Sequence, residues 1–136
     1  MGSRRLVSVE EVPDDGTMVF TIADHDTTQE IILTRVNGTV SAWENHCQHW
    51  TDTRLDRGDG ALIREGDIVC RRHGATFDRD SGECTWGPCE GAYLDPLDLT
   101  VENGVVHLDE PGWAVEHQGP DEDDDTDLSS GGAIRF

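Results

Sequence analysis

The sequence predicts an all-β protein of short antiparallel strands, and three observations carry that expectation. Apolar residues alternate with polar ones at a period of two in several short runs. Asn-Gly pairs stand between β-rich runs at Asn37-Gly38 and Asn103-Gly104. No stretch shows a helical period of useful length, and 15 glycines supply tight loops between the runs.

The runs follow in order. Leu6 to Val9 reads as a first short strand. Asp14-Asp15-Gly16 is a turn signal, behind which Thr17-Met18-Val19-Phe20-Thr21-Ile22 alternates. Gln29 to Val36 is joined by Asn37-Gly38 to Thr39-Val40-Ser41-Ala42-Trp43. An Asn-Gly pair favours this connection because both central positions of the tightest hairpin turn need positive φ. Gly60 to Ile63 and Asp67 to Cys70 suggest another pair of strands. Leu97 to Val101 and Val105 to Leu108 flank Glu102-Asn103-Gly104 as a last hairpin. These runs are expected to build one domain over residues 1–112. Beyond it, Gln118 to Asp127 is dominated by Asp and Glu and offers nothing to bury, so residues 113–136 are expected to form an acidic, flexible tail. The closing Ala133-Ile134-Arg135-Phe136 carries two apolar side chains able to dock in a groove; a frayed terminus is the simpler expectation.

Charge narrows the function classes. Ten basic residues, all Arg, stand against 29 acidic ones, a net charge of −19. Such a surface repels a phosphate backbone, which excludes nucleic-acid binding. It suits a folded domain in concentrated salt, where screening within a few Å removes the self-repulsion, and an extreme halophile is the expected source. No apolar run approaches the roughly 18 residues of a membrane span. Ser3-Arg4-Arg5 resembles the start of a twin-arginine export signal, but Val9-Glu10-Glu11 and Asp14-Asp15 follow where an apolar segment is required. A cytoplasmic, monomeric protein is therefore expected.

The chemistry lies in Cys47-Gln48-His49 and Cys70-Arg71-Arg72-His73, separated by the 20 residues Trp50 to Val69. Each piece offers one thiolate and one imidazole, so two loops can present four ligands to one site. Structural zinc accepts such a set, a [2Fe–2S] cluster with Cys₂ on one iron and His₂ on the other accepts it too, and four polar residues scattered in a core need no metal. Zinc fingers usually pair Cys with Cys and His with His in sequence. A mixed pair in each half fits the two-iron site better. Four cysteines in all do not read as a secreted disulfide framework. Cys84 and Cys89 flank Thr85-Trp86-Gly87-Pro88 and are expected as thiols off the metal, with a local disulfide as the alternative. His46 adjoins a ligand, but the Cys-x-His spacing assigns that role to His49. His25, His107 and His117 have no ligand neighbour.

Cys47-x-His49 followed by Cys70-x₂-His73-Gly74 resembles the Rieske ferredoxin signature. Arg72-His73-Gly74-Ala75-Thr76-Phe77-Asp78 is similar to the family's second cluster loop, Ser81-Gly82-Glu83 to its small turn, and Gly87-Pro88 to its proline-containing third loop. The likeness spans roughly residues 5 to 109. It implies the Rieske iron–sulfur fold, small antiparallel β-sheets with a cluster-binding subdomain of loops. It also implies one [2Fe–2S] cluster per chain, with His49 and His73 on one iron and Cys47 and Cys70 on the other. Two thiolates neutralise the charge of two ferric ions and two sulfides, so an electron enters more easily than at a four-thiolate site. The family's respiratory members place Ser and Tyr hydroxyls on cluster sulfur where Ala75 and Phe77 stand here. Neither can donate, which implies a potential near the negative end of the family's range of about −150 to +300 mV. The disulfide of those members falls on Asp52 and Arg72, which invites a salt bridge between the loops; two exposed charges worth at most about 1 kcal/mol are the alternative.

The resemblance thus implies a soluble electron carrier without catalytic residues, moving electrons from a reductase to an acceptor such as an oxygenase. A mononuclear-iron oxygenase needs a further domain that these residues do not supply. A small subunit of a nitrite reductase-like oxidoreductase and a zinc-bound interaction module are the rivals. Trp50, Phe77 and Trp86 near the ligands either simply pack or keep water from the site. Arg54, Arg57, Arg64, Arg71 and Arg72 are half of all the arginines. They offer either a docking patch for an acidic redox partner or partners for Asp52, Asp56, Asp59, Glu65 and Asp67.

Overall fold

The computed structural model describes residues 4–14, 16–46, 54–58, 60–70, 74–87 and 91–119. Twelve strands occur in these residues: β1 (Arg5–Ser8), β2 (Met18–Ala23), β3 (Thr28–Val36), β4 (Thr39–Glu44), β5 (Leu62–Arg64), β6 (Asp67–Val69), β7 (Thr76–Asp78), β8 (Cys84–Trp86), β9 (Pro96–Leu97), β10 (Leu99–Glu102), β11 (Val105–Leu108) and β12 (Ala114–Gln118). One 3₁₀ turn, Val9–Glu11, follows β1. The all-β expectation is met. Among the described residues no helix is long and apolar enough to cross a membrane.

The strands form three antiparallel sheets, ordered β1-β11-β10, β12-β2-β3-β4-β9 and β5-β6-β7-β8. Alternation in the middle strands explains how the sheets stack, because successive side chains point to opposite faces. Phe20, Ile22, Ile31, Leu33 and Ala42 face one way and join Leu6, Val7, Val106 and Leu108 in a frame core. Val19, Ile32 and Trp43 face the other way and join Ile68, Phe77, Cys84 and Leu94 in a loop-end core. The five-stranded sheet is thus a middle layer, buried on both faces. Each fully buried Ile, Leu or Phe there contributes roughly 1.5–3 kcal/mol.

The Asn-Gly hairpins are as expected, with φ of +52° and +83° at Asn37-Gly38 and +55° and +77° at Asn103-Gly104. Other expectations shift. The run from Leu97 to Val101 is two strands in two sheets: β9 pairs with β4 and β10 with β11. Asp98 makes the break, since its N–H donates to the Glu110 carboxylate at 2.6 Å and its carbonyl accepts from Asp109 at 2.9 Å. The β5–β6 hairpin turns at Glu65-Gly66, inside the gap between the two expected runs, but β5 starts at Leu62, two residues later than expected. β7 and β8, three residues each, are too short to show a period in the sequence.

Residues past 112 also take part in the sheets. Ala114–Gln118 adds an edge strand beside β2, Trp113 and Val115 pack on the frame core, and the Gly119 N–H bonds to the Val19 carbonyl at 2.7 Å. Alternate apolar residues in so short a segment were hidden by the acidic composition that follows. Gln118 therefore lies in a strand; residues 120–136, including Ile134 and Phe136, fall outside the described residues.

Candidate metal centre

The register of the small sheet brings several of its connections to one end. Leu62, at the start of β5, pairs with Val69 at the end of β6. Val69 pairs with Thr76 at the start of β7, and Thr76 with Trp86 at the end of β8. So the chain entering β5, the chain joining β6 to β7 and the chain leaving β8 all lie at one end of this sheet. Cys70 opens the second of these connections and Gly87 opens the third.

Of the four sequence-predicted ligands, Cys70 is described; Cys47, His49 and His73 lie outside the described residues. Cys70 follows β6 and is fully buried. Its N–H donates to the Ala75 carbonyl at 2.7 Å and its carbonyl accepts from the Gly74 N–H at 2.8 Å. These two bonds hold Cys70 against Gly74 and Ala75. Ala75 and Phe77 behind it are also fully buried and bring no hydroxyl. The intervening Thr76 directs its hydroxyl to Thr85 at 2.7 Å, which in turn reaches Asp67.

The third segment is pressed on the second. Gly87 has φ +118°, and a Cβ there would sit 2.9 Å from both Cα and Cβ of Ala75. Only glycine fits that approach. Trp86 is 61 % exposed, whereas Phe77 is wholly packed; Trp50 lies outside the described residues. Cys84 is buried, and its thiol donates to the Trp86 carbonyl at 3.4 Å. Cys89, Asp52 and Arg72 lie outside the described residues, so the local disulfide and the loop salt bridge do too.

Other charged residues find definite partners. His46 Nε2 lies 2.8 Å from Glu44 and 3.8 Å from Asp95, an imidazole held between two carboxylates. His25 lies 3.5 Å from Asp26, both exposed; His107 sits on β11 and His117 on β12. Arg54 pairs with Glu30 at 2.9 Å. Arg57 and Arg64 are exposed, and Arg71 lies outside the described residues. Asp56 and Asp67 spend their carboxylates on Thr17 and Thr85 rather than on arginine.

The residues that tie this end together are ones the sequence did not single out. Asn45 and Asp56 are buried polar residues, 4 % and 0 % exposed, on either side of residues 47–53. Their side chains bond across that gap and to Thr17. Arg79 spans two layers, donating to the Gly66 and Asp14 carbonyls and to the Thr34 hydroxyl. Asp56-Arg57-Gly58 carries a weak turn signal; Asn45 carries none beyond its place before Cys47.

This arrangement fits a buried metal group. A fully buried cysteine follows β6, the apolar Ala75 and Phe77 are buried beside it, and Gly87 presses on Ala75. Thiolates and imidazoles are donors for soft or borderline metals.

Known proteins agree with that reading of the fold. The family described as Rieske [2Fe-2S] domain matches residues 4–104. A ferredoxin of Sphingomonas yanoikuyae B1 is 27 % identical, with a TM-score of 0.58 over 79 % of this chain and 97 % of that one. The ferredoxin of carbazole 1,9a-dioxygenase from Nocardioides aromaticivorans IC177 is 24 % identical, with a TM-score of 0.56 over 78 % of this chain and 97 % of that one. A chain in the complex of reduced oxygenase and oxidized ferredoxin in carbazole 1,9a-dioxygenase is 21 % identical, with a TM-score of 0.59 over 77 % of this chain and 99 % of that one. No curated protein sequence matches the chain.

Proposed function

This chain belongs to the Rieske [2Fe-2S] domain family, and from that premise we propose that it is a small one-electron carrier whose ligands are Cys47, His49, Cys70 and His73. The observation that supports the reading is the fully buried Cys70 directly after β6, held against Gly74 and Ala75. A [2Fe–2S] group, when bound, supplies one-electron uptake and release. The chain's part is to hold it: Cys47 and Cys70 as thiolates, His49 and His73 as neutral imidazoles. Ala75 and Phe77 give its sulfur no hydroxyl donor, which favours the oxidised state and a midpoint potential below zero.

The likeness to ferredoxins over nearly their full length supports a carrier rather than an enzyme. One of these ferredoxins serves a dioxygenase, so an oxygenase component is the proposed acceptor and a reductase the proposed donor. The folded domain extends to Gly119, with an acidic tail over residues 120–136. We place the carrier in the cytoplasm of a salt-adapted organism, as a monomer with one cluster per chain.

The test is spectroscopic and analytical together. Purified protein should contain two irons and two sulfides per chain, by analogy with the family, and dithionite should produce an EPR signal of low average g. Cys70→Ser should abolish both, and a redox titration should give a midpoint below zero. Colourless protein with stoichiometric zinc would make it an interaction module instead, and a midpoint well above zero would remove the low-potential assignment.

A further inference from the structure

We propose that Asn45 is the positioning residue of the first ligand segment: its amide sets the distance between the chain entering that segment and the chain leaving it. The inference rests on the ligand reading above. Asn45 lies two residues before Cys47, and Leu55 and Asp56 follow soon after His49. Asn45 Oδ1 accepts from the N–H of Leu55 at 3.1 Å and of Asp56 at 2.9 Å. Asn45 Nδ2 donates to the Asp56 carbonyl at 2.7 Å and to Glu30 Oε1 at 3.1 Å. Its backbone N–H donates to the Glu30 carbonyl at 3.0 Å. An amide has two donors and two acceptor sites, and all four are used.

The geometry needs an amide. Only a group that donates and accepts on one rigid plane can bond both the N–H and the C=O of Asp56. An aspartate would keep the acceptors, lose both donors, and set its charge against Glu30 and the Asp56 carbonyl. The exit side is anchored in turn. Asp56 Oδ1 accepts from Gly58 and Gly60 N–H at 2.8 and 3.0 Å. Asp56 Oδ2 accepts from the Thr17 hydroxyl at 2.5 Å, whose oxygen accepts from the Ala61 N–H at 2.9 Å. Arg54 binds the same Glu30 oxygen that Asn45 does. The described residues on either side of 47–53 are therefore fastened through side chains to Glu30 of β3 and to Thr17, just before β2. β2 and β3 are strands of the middle layer, which a bound metal group does not have to organise.

Such a clasp acts on the ligands through the backbone. Its loss should loosen the grip on the metal more than it lowers the stability of the fold. Iron-loaded wild type, Asn45→Asp and Asn45→Ala are compared with Val106→Ala, a cavity variant in the frame core. Readouts are iron release to a ferrous chelator and the line width of the dithionite-reduced EPR signal. Both Asn45 variants should release iron about ten-fold faster or more, with broadened lines. Val106→Ala should melt lower and yet match wild type in both readouts. Asn45 variants that release iron no faster than Val106→Ala would refute the positioning role. Should neither Asn45 variant fold, hydrogen exchange on the wild type decides: the Leu55 and Asp56 amides should be protected well beyond exposed Arg57, and fast exchange there would refute the clasp. Wild type that takes up zinc and no iron fails the ligand reading instead and takes this inference with it.

Discussion

The frame core and the loop-end core share the middle sheet, yet the layers that close them are made differently. The frame core is covered by four-residue strands paired through an Asn-Gly hairpin, and its side chains are almost all aliphatic. The loop-end core is covered by strands of three residues, between turns and ligand segments. Three-residue strands bury too little to hold long connections in place. Side chains make up the difference at the loop end: Asn45, Thr17 and Arg79 bond to backbone far away in sequence, and Asp56 to the Thr17 hydroxyl. One half of the molecule is held by alternation and the other by polar clasps. Damage to the frame should therefore appear as lost stability, and damage to the loop end as a disturbed metal centre.

Gly82 offers the strongest way to break that division. It sits in the β7–β8 turn at φ +79°, and a Cβ there would lie 2.7 Å from Cζ3 of Trp43 in the middle sheet. The Trp43 indole N–H donates to the Arg79 carbonyl at 3.3 Å, so the ring is held and has little room to yield. Gly82→Val should cost about 3 kcal/mol through overpacking and left-handed strain combined, measured by urea unfolding. It should also lift the small sheet from the middle layer, so that iron content falls with stability. A variant with normal stability would mean that the small sheet tolerates displacement from Trp43.

How far the sequence showed this structure follows the same line. The middle and frame strands were legible because they are long enough to alternate and are joined by residues with positive φ. Met18–Ala23 was expected as Thr17 to Ile22, and Thr39–Glu44 as Thr39 to Trp43. The loop end carries a chemical pattern in the sequence, Cys47, His49, Cys70 and His73, on which the proposed ligand set rests, and much less signal of its structure. A buried Asn45 has no periodic signal; its role depends on the side chain of Glu30 and the backbone of Asp56, 15 and 11 residues away. Asp98 is a similar case, since the break it makes depends on Glu110 and Asp109. The hydrogen bonds that decide these positions form only once distant segments have met.

Salt should act on the whole molecule and sharpens the comparison differently. With a net charge of −19, self-repulsion opposes the folded state in dilute buffer. At 1 M salt the screening length is about 3 Å, and exposed charges cease to oppose one another. The melting temperature should rise with KCl by roughly 4–8 °C, corresponding to about 2 kcal/mol. The Asn45 and Asp56 bonds are buried and short, so iron release should change far less than the melting temperature. A melt unaffected from dilute buffer to molar salt would count against salt adaptation.

The smallest effect concerns a carboxylate used as Asp56 is, but in an exposed turn. Asp24 stands between β2 and β3, and its Oδ1 accepts from the N–H of Asp26 at 2.8 Å, the N–H of Thr27 at 2.7 Å and the Thr27 hydroxyl at 3.2 Å. The Asp26 N–H, then that of Thr27, hold its carboxyl below the usual aspartate range, against a weaker opposing effect of burial. A carboxylate with a lowered folded pKa adds stability that is complete above the unfolded pKa and is lost as pH falls through the folded one. Asp24→Asn should therefore melt slightly below wild type near neutrality, and the two curves should converge as the pH falls below about 4 toward the acid limit of folding. Because Asp24 is at most half-buried and its hydrogen-bond partners lie in an exposed turn, water screens most of the gain, and the gap should be smaller than that from any buried clasp residue. A gap that stays constant down to that acid limit would show that the turn depends on side-chain shape, with no contribution from the charge.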